Sequence, residues 1–368
     1  MHVTLFLSGD VMLGRGIDQL LPHPSLPHLY EPYVRSALGY VELAEAAAGP
    51  LPRPVDFGYV WGDALEELRA RAPQARIVNL ETAVTIAEDA WPGKGIHYRM
   101  HPRNVPALAA AGIDCCVLAN NHVLDWGHAG LAETLDTLHG AGLRTAGAGR
   151  DADEATAPAV IEWTGGGRVL IFSCAMQNSG VPPDWTAGTA RPGVNLLADL
   201  SRRSCDAIAR QVAAARRPGD RVVVSIHWGG NWGYEVSSEE RVFAHRLIDA
   251  GAADILHGHS SHHPRGLEIY RERLILYGCG DFINDYEGIG GHASYRPQLC
   301  LMYFVSLDAA DGTVHQLALA PMRVRRFRLQ FATEAEAEWL QHTLDCESRA
   351  FGTRVEAASA GELRATSS

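Results

Sequence analysis

Paired cysteines, basic charge and long apolar runs are all scarce in this chain, and each shortage removes a class of protein. The seven cysteines, at 115, 116, 174, 205, 279, 300 and 346, are odd in number and include no C-x-x-C pair. A disulfide scaffold is therefore excluded, and scattered core thiols of a reduced, cytoplasmic protein are expected. With 32 Lys and Arg against 43 Asp and Glu the net charge is -11, which leaves no basic surface for nucleic acid as the main partner. No apolar run approaches the ~20 residues of a membrane helix, so no membrane partner is expected. The N-terminus lacks a basic region, apolar core and cleavage site; Val3-Thr4-Leu5-Phe6-Leu7 leads straight into Gly9-Asp10, as a first core strand would. Internal repeats, low-complexity blocks and linkers are absent too.

What is present is an ordinary globular composition, 46% hydrophobic and 20% charged, with as many as 17 His. Strand-like and helix-like segments alternate, which argues for an α/β fold. One domain is expected over 1–330, followed by a terminal helix near Glu334 to Glu347 and a small, polar tail from Gly352 that frays. Two irregular segments, 19–58 and 178–195, are rich in Pro, Tyr and Trp; they read as a lid or groove for an extended peptide, or as plain surface insertions. Arg323, Arg325, Arg326 and Arg328 form a run that could meet a carboxylate or be a solvated face.

The polar residues fall at strand ends, where open α/β sheets gather their chemistry. Asp10 follows Val3 to Ser8, Glu81 follows Arg76 to Leu80, and Asn121-His122 follows Ile113 to Leu118. His227 follows Arg221 to Ile226, the cluster His257 to His263 begins at the end of Ala253 to Leu256, and Asp281 follows Leu274 to Tyr277. One such residue is an ordinary turn. Six of them, all carboxylate, amide or imidazole donors, suit a divalent ion of borderline hardness.

The order of motifs Gly9-Asp10, Asn79-Leu80-Glu81, Ala119-Asn120-Asn121-His122 with Asp125 and Gly127, His227-Trp228-Gly229 and Gly258-His259 resembles the CapA-like proteins of poly-γ-glutamate capsule synthesis. These form a branch of the calcineurin-like metallophosphoesterase superfamily. The resemblance spans residues 3 to 285 and includes Lys94, Gly147-Ala148-Gly149 and Glu235. It implies a sandwich of two mixed β-sheets flanked by helices, with one or two divalent ions (Ca, Mn, Mg or Zn) and no organic cofactor. It further implies Asp10, Glu81, Asn121, His227 and His259 as metal ligands, with Glu81 in the bridging position. His122 takes the place of the acid–base group beside the metal, and Asp125 stands behind it. Three departures are visible. Val11 and Met12 replace the imidazole of Asp-x-His; His262 is displaced by one residue from the usual Gly-His-x-His; and Asp281 replaces an amide in Gly280-Asp281-Phe282.

Three functions fit these residues. The leading expectation is epimerisation of a peptide Cα, since the CapA-like group includes lasso-peptide epimerases that invert the C-terminal residue of a ribosomal precursor. That chemistry needs acid–base groups on opposite faces of the Cα, for which His122 with Asp125, and His262, His263, His97 or His292 with Asp281 or Asp285, are the candidates. Cys279 is the one thiol near the motifs and reads as an inert buried group. The alternatives are metal-dependent phosphoester hydrolysis and a capsule-related polymer-binding role. The last ranks lowest because capsule proteins are expected to carry an N-terminal anchor.

Overall fold

The alternation of apolar residues along the strands dictates a four-layered structure, because successive side chains of a strand point to opposite faces. The computed structural model describes residues 2–163, 166–358 and 361–367. Its first sheet runs in the order Thr353–Ala357, Leu363–Ser367, Val314–Arg325, Leu299–Asp308, His2–Val11, Ala75–Leu80, Cys115–Val117 and Arg144–Ala146. From His2–Val11 onward these strands are parallel; the pair His2–Val11 and Leu299–Asp308 is antiparallel. A second sheet runs Leu196–Leu197, Gly167–Met176, Arg221–His227, Ile255–His259, Arg273–Leu276 and Leu267–Tyr270, all parallel except the last.

Val3, Leu5, Leu7, Ile77 and Val117 of the first sheet meet Val169, Ile171, Val223, Ile255 and Leu274 of the second. The alternate residues face outward and are covered by helices. Phe6, Val78 and Cys116 pack with Leu68 of Ala64–Arg71 and with Leu131, Leu135 and Leu138 of Gly127–Gly140. Leu170, Phe172, Val222 and Val224 pack with Ile208 and Val212 of Arg202–Ala215, and with Phe243 and Leu247 of Ser238–Asp249. The expected mixed two-sheet sandwich flanked by helices is what forms.

Three local expectations change. The tail does not fray: Thr353–Ala357 and Leu363–Ser367 pair with each other and join the first sheet through Val314–Arg325. Val355 and Leu363 are buried, which contributes about 1.5–3 kcal/mol each. Asp345 adds an anchor by accepting from Val355 N at 3.0 Å and Arg354 Nε at 2.8 Å. Segment 19–58 is no loose flap, because it contains the helix Leu38–Ala48 and places Leu20, Leu21, Val41 and Ala44 in the core. Segment 178–195 is tied down as well, by the fully buried Trp185 and by pairing of Gly193–Val194 with Ala148–Gly149.

Both sheets end their parallel strands on the same edge, and Asp281–Ile283 enters there beside His2–Val11, with Asp10 opposite Asp281 and Asn79. The approach is so close that a Cβ on Gly9 would lie 1.6 Å from the carbonyl oxygen of Gly280. Backbone on both sides leaves nothing flexible to yield. Gly9→Ala should therefore force these strands apart and destabilise the protein by about 3 kcal/mol or more, read as a fall in the urea midpoint. An unchanged midpoint would show that the strands can separate freely.

Candidate metal centre

The residues at this edge are held by strand register. His227 and His259 are direct neighbours on parallel strands, so their rings leave the second sheet side by side. Asp10 comes from the first sheet, and one ligand atom from each of these three buried residues lies within 4.8 Å of the others.

Hydrogen bonds fix the tautomers. His257 Nε2–H donates to the carbonyl of Ser8 at 2.8 Å, which leaves Nδ1 to accept from the Ser225 hydroxyl at 3.1 Å. Ser225 Oγ in turn accepts from His259 Nε2–H at 2.8 Å, so His259 presents a bare Nδ1. On the other side His227 Nε2–H donates to Asn121 Oδ1 at 3.2 Å, so His227 also presents a bare Nδ1. The two bare nitrogens face each other at 2.7 Å. Burial, and the imidazoles around them, hold both rings well below the ordinary histidine range, which disfavours a proton shared between them and leaves a pair of donors that a cation would fit.

The carboxylates point to the same conclusion. Asp10 Oδ1 accepts from Asn79 Nδ2 at 2.8 Å, but Oδ2 is buried with no partner. Burial and the neighbouring Asp281 push the Asp10 carboxyl up to about 7, and burial together with Asp10 pushes Glu81 up as well. Glu81 Oε2 also accepts from Asn79 Nδ2, at 3.2 Å. Asn79 thus braces both acids, and its own Oδ1 accepts from Asn120 Nδ2 at 3.1 Å. Buried carboxylates without compensating charge are costly, and a divalent ion is the compensation this donor set fits.

His122 stands beside this cluster, with Nε2 3.8 Å from Glu81 Oε1. Asn120 Oδ1 shapes its turn by accepting from the backbone N–H of His122 and of Val123, both at 3.0 Å. Behind the ring, Asp125 Oδ2 accepts from His122 Nδ1–H at 2.6 Å and from Tyr98 N–H at 2.6 Å. Lys94 Nζ donates to Asp125 Oδ1 and lies 3.0 Å from His122 Nδ1. Although burial alone would raise Asp125, His122 and Lys94 hold it below its ordinary value. Burial, reinforced by Lys94, pulls His122 down to about 4. In the same cluster His262 Nδ1–H donates to Asp281 Oδ1 at 2.8 Å, and Asn284 Nδ2 donates to Asp281 Oδ2 at 2.9 Å. Burial would lower His262, but Asp281 and Asp10 outweigh it and raise it.

Most of the expected residues therefore meet at one edge. His97 does not: its Nε2 bonds the Trp91 carbonyl at 3.1 Å and its ring packs against Tyr30 and Trp126. Its Nδ1 is buried without a partner, and no hydrogen bond joins the ring to His262 or Asp281 among the described residues. Cys279 is buried, and burial pushes its thiol well up, in keeping with an inert group. Sequence reasoning gave no role to Asn79, Asn120, Ser225 or Tyr98, although the first two lie inside the quoted motifs. Ser225 has no signal beyond its place two residues before His227.

The fold and the centre define a class: a two-sheet sandwich with a cluster of buried carboxylates and imidazoles at its strand ends. The chain belongs to the bacterial capsule synthesis protein PGA_cap family, whose profile matches residues 4–286. It is 51% identical over 354 residues to a probable polyglutamine synthesis accessory protein of Mycobacterium tuberculosis, covering 96% of this chain and 93% of that one. The capsule biosynthesis protein CapA of Bacillus anthracis is 26% identical over 289 residues, 77% of this chain and 60% of its own length. The PGA biosynthesis protein CapA of Bacillus subtilis is 27% identical over 279 residues, 75% of this chain and 62% of its own. These relatives overturn the expectation of a peptide epimerase, because they are named for capsule and polyglutamine synthesis. The lowest-ranked of the three readings is the one they favour. No helix among the described residues is long and apolar enough to cross a membrane.

Proton bookkeeping at Asp10 gives a test of the ion. Burial pushes its carboxyl and that of Glu81 toward the protonated form, so a cation must displace protons to bind. Titrating metal-free protein with Mn²⁺ in buffers of different ionisation enthalpy should show proton release that diminishes as the pH is raised. Release that does not change with pH would contradict the raised Asp10 carboxyl.

Proposed function

We propose that this chain acts in the synthesis of a glutamate-type polymer, polyglutamate or polyglutamine, through a divalent-metal acid–base centre. The observation that carries the metal is the pair of bare Nδ1 atoms of His227 and His259, 2.7 Å apart beside the unpartnered Asp10 Oδ2. The family match and the printed names of the relatives support the polymer. Asp10, His227 and His259 would hold the ion, with Glu81 beside Asp10 and Asn121 orienting His227, and when bound it would polarise an oxygen of the group presented to it.

The rest of the work belongs to side chains. Asp125 keeps the Nδ1–H of His122, so that Nε2 carries the lone pair and accepts a proton at that atom. Lys94 and the Tyr98 N–H keep Asp125 ionised for that purpose. In the same cluster Asp281 favours the protonated form of His262, so His262 donates. Two imidazoles pushed apart in acidity in this way form a base and an acid. Tyr98 seals the His122 side, its ring edge-on to His122 at 4.5 Å.

The test is complementation. In cells deleted for their own copy, the wild-type gene should restore the polymer, whereas His122→Ala and His227→Ala should not. Purified His122→Ala should keep its divalent ion by elemental analysis, and His227→Ala should lose it. Restoration of polymer by His122→Ala, or equal metal loss in both variants, would show that the division of roles is wrong.

A further inference from the structure

The arginine run plays no part in the metal centre. Arg323 and Arg325 end the strand Val314–Arg325, Arg326 and Phe327 turn the chain, and Arg328 opens Arg328–Phe331. Three of the four guanidinium groups are engaged. Arg323 Nη1 lies 3.3 Å from Glu336, Arg328 Nη2 lies 3.4 Å from Asp63, and Arg326 donates to the Pro50 carbonyl. The Arg325 side chain is exposed and makes no ion pair or hydrogen bond among the described residues.

Arg323 and Arg325 line a cavity of about 400 Å³ whose other wall includes Asn284 and Tyr286, with Ile289 and Val324 adding apolar surface. That other wall is shared with the metal centre. Asn284 holds Asp281 Oδ2, and the Tyr286 ring stands 5.4 Å from that of His262. Two acids also line the cavity, and Glu287 lies in the field of Arg325 and Arg326, but both carboxylates already hold hydrogen bonds. Glu287 accepts from the backbone N–H of Arg326 at 2.5 Å and of Phe327 at 3.3 Å, and Glu336 pairs with Arg323 and caps its helix at Thr333. Arg323 Nε is buried without an acceptor, a second donor lacking a partner on a residue of this wall.

A polycarboxylate approaching a chain of net charge -11 is repelled at large and settles most readily where an exposed guanidinium has no ion pair or hydrogen bond of its own, as at Arg325. Resting on the polymer reading above, we infer that this cavity is a subsite for the free carboxylates of an anionic glutamate polymer, with Arg325 as the pairing group. Guanidinium and carboxylate match as a two-pronged pair. An amide side chain, as in polyglutamine, offers no charge to pair. The subsite therefore selects the acid form of the polymer.

Fluorescence anisotropy on metal-loaded protein tests this, with labelled oligomers of polyglutamate and of polyglutamine of matched length. Arg325→Ala should weaken polyglutamate binding about tenfold and Arg325→Glu further, with added salt weakening the wild type toward the variants. Both variants should keep wild-type metal content and melting temperature, since Arg325 is exposed and unpaired. The polyglutamine oligomer should bind more weakly and ignore both substitutions. Equal polyglutamate binding by wild type and Arg325→Glu overturns the subsite, as does polyglutamine binding as tightly, or a metal-loaded wild type that binds neither polymer. Arg325-dependent binding by protein that takes up no metal would keep the subsite and remove the centre.

Discussion

The constraint on which this structure turns is the burial of like groups at one sheet edge. Asp10 and Glu81 are carboxyls without a buried cation between them, and His227 and His259 direct bare nitrogens at each other. Each pair is repulsive in its ordinary ionised or neutral form, and burial removes the water that would soften the repulsion. A divalent ion would complete such an arrangement, as proposed above. The surrounding hydrogen bonds then make sense as orientation: Asn79 braces the acids, and the chain Ser8, His257, Ser225, His259 aims one imidazole from a backbone carbonyl outward. Outer partners of this kind set ring orientation and tautomer.

The two-sheet architecture makes the convergence possible. A single sheet could place His227 beside His259, because they are register partners. It could not bring Asp10 against them, since Asp10 belongs to the other sheet. The packing of Leu5 and Leu7 against Ile171 and Val223 fixes the distance between the sheets, and the strand ends inherit it. Gly9 and Gly280 then allow the approach of the third element, which carries Asp281. A hydrophobic core thus sets the geometry of a polar site it does not touch.

Function was the weakest inference from residues, and the reason is chemical. A neutral imidazole and a protonated one in the same cluster can serve carbon, phosphorus or acyl chemistry equally well. Nothing in His122, Asp125, His262 or Asp281 specifies what is presented to them. The capsule-related reading was ranked last on the expectation of an anchor, an argument about a segment and not about the site. Similarity along most of the chain to proteins named for capsule and polyglutamine synthesis is information of another kind, and it favours the capsule-related reading.

Much of this protein was settled along the chain itself. Near-continuous apolar runs in Val3 to Leu7 and Val222 to Ile226 determined strands with two buried faces. The placement of Asp10, Glu81, Asn121, His227 and His259 after such strands determined a metal-type donor set, because parallel strands bring their ends to one edge. Tertiary structure decided what depends on distance between segments far apart in the chain. It placed His97, which sits next to a residue of the site, against backbone and among aromatics. It turned the polar tail into two strands, because Val355 and Leu363 find an apolar face no local pattern announces. It gave Ser225 and Lys94 their roles, since a hydroxyl or an ammonium acquires one only from the partner that long-range packing sets against it. And in the stretch from Ala119 to Gly127 it showed Asn120 building the turn, Asn121 orienting His227, and His122 backed by Asp125. Spacing names the donors; only packing sets which atom each one offers.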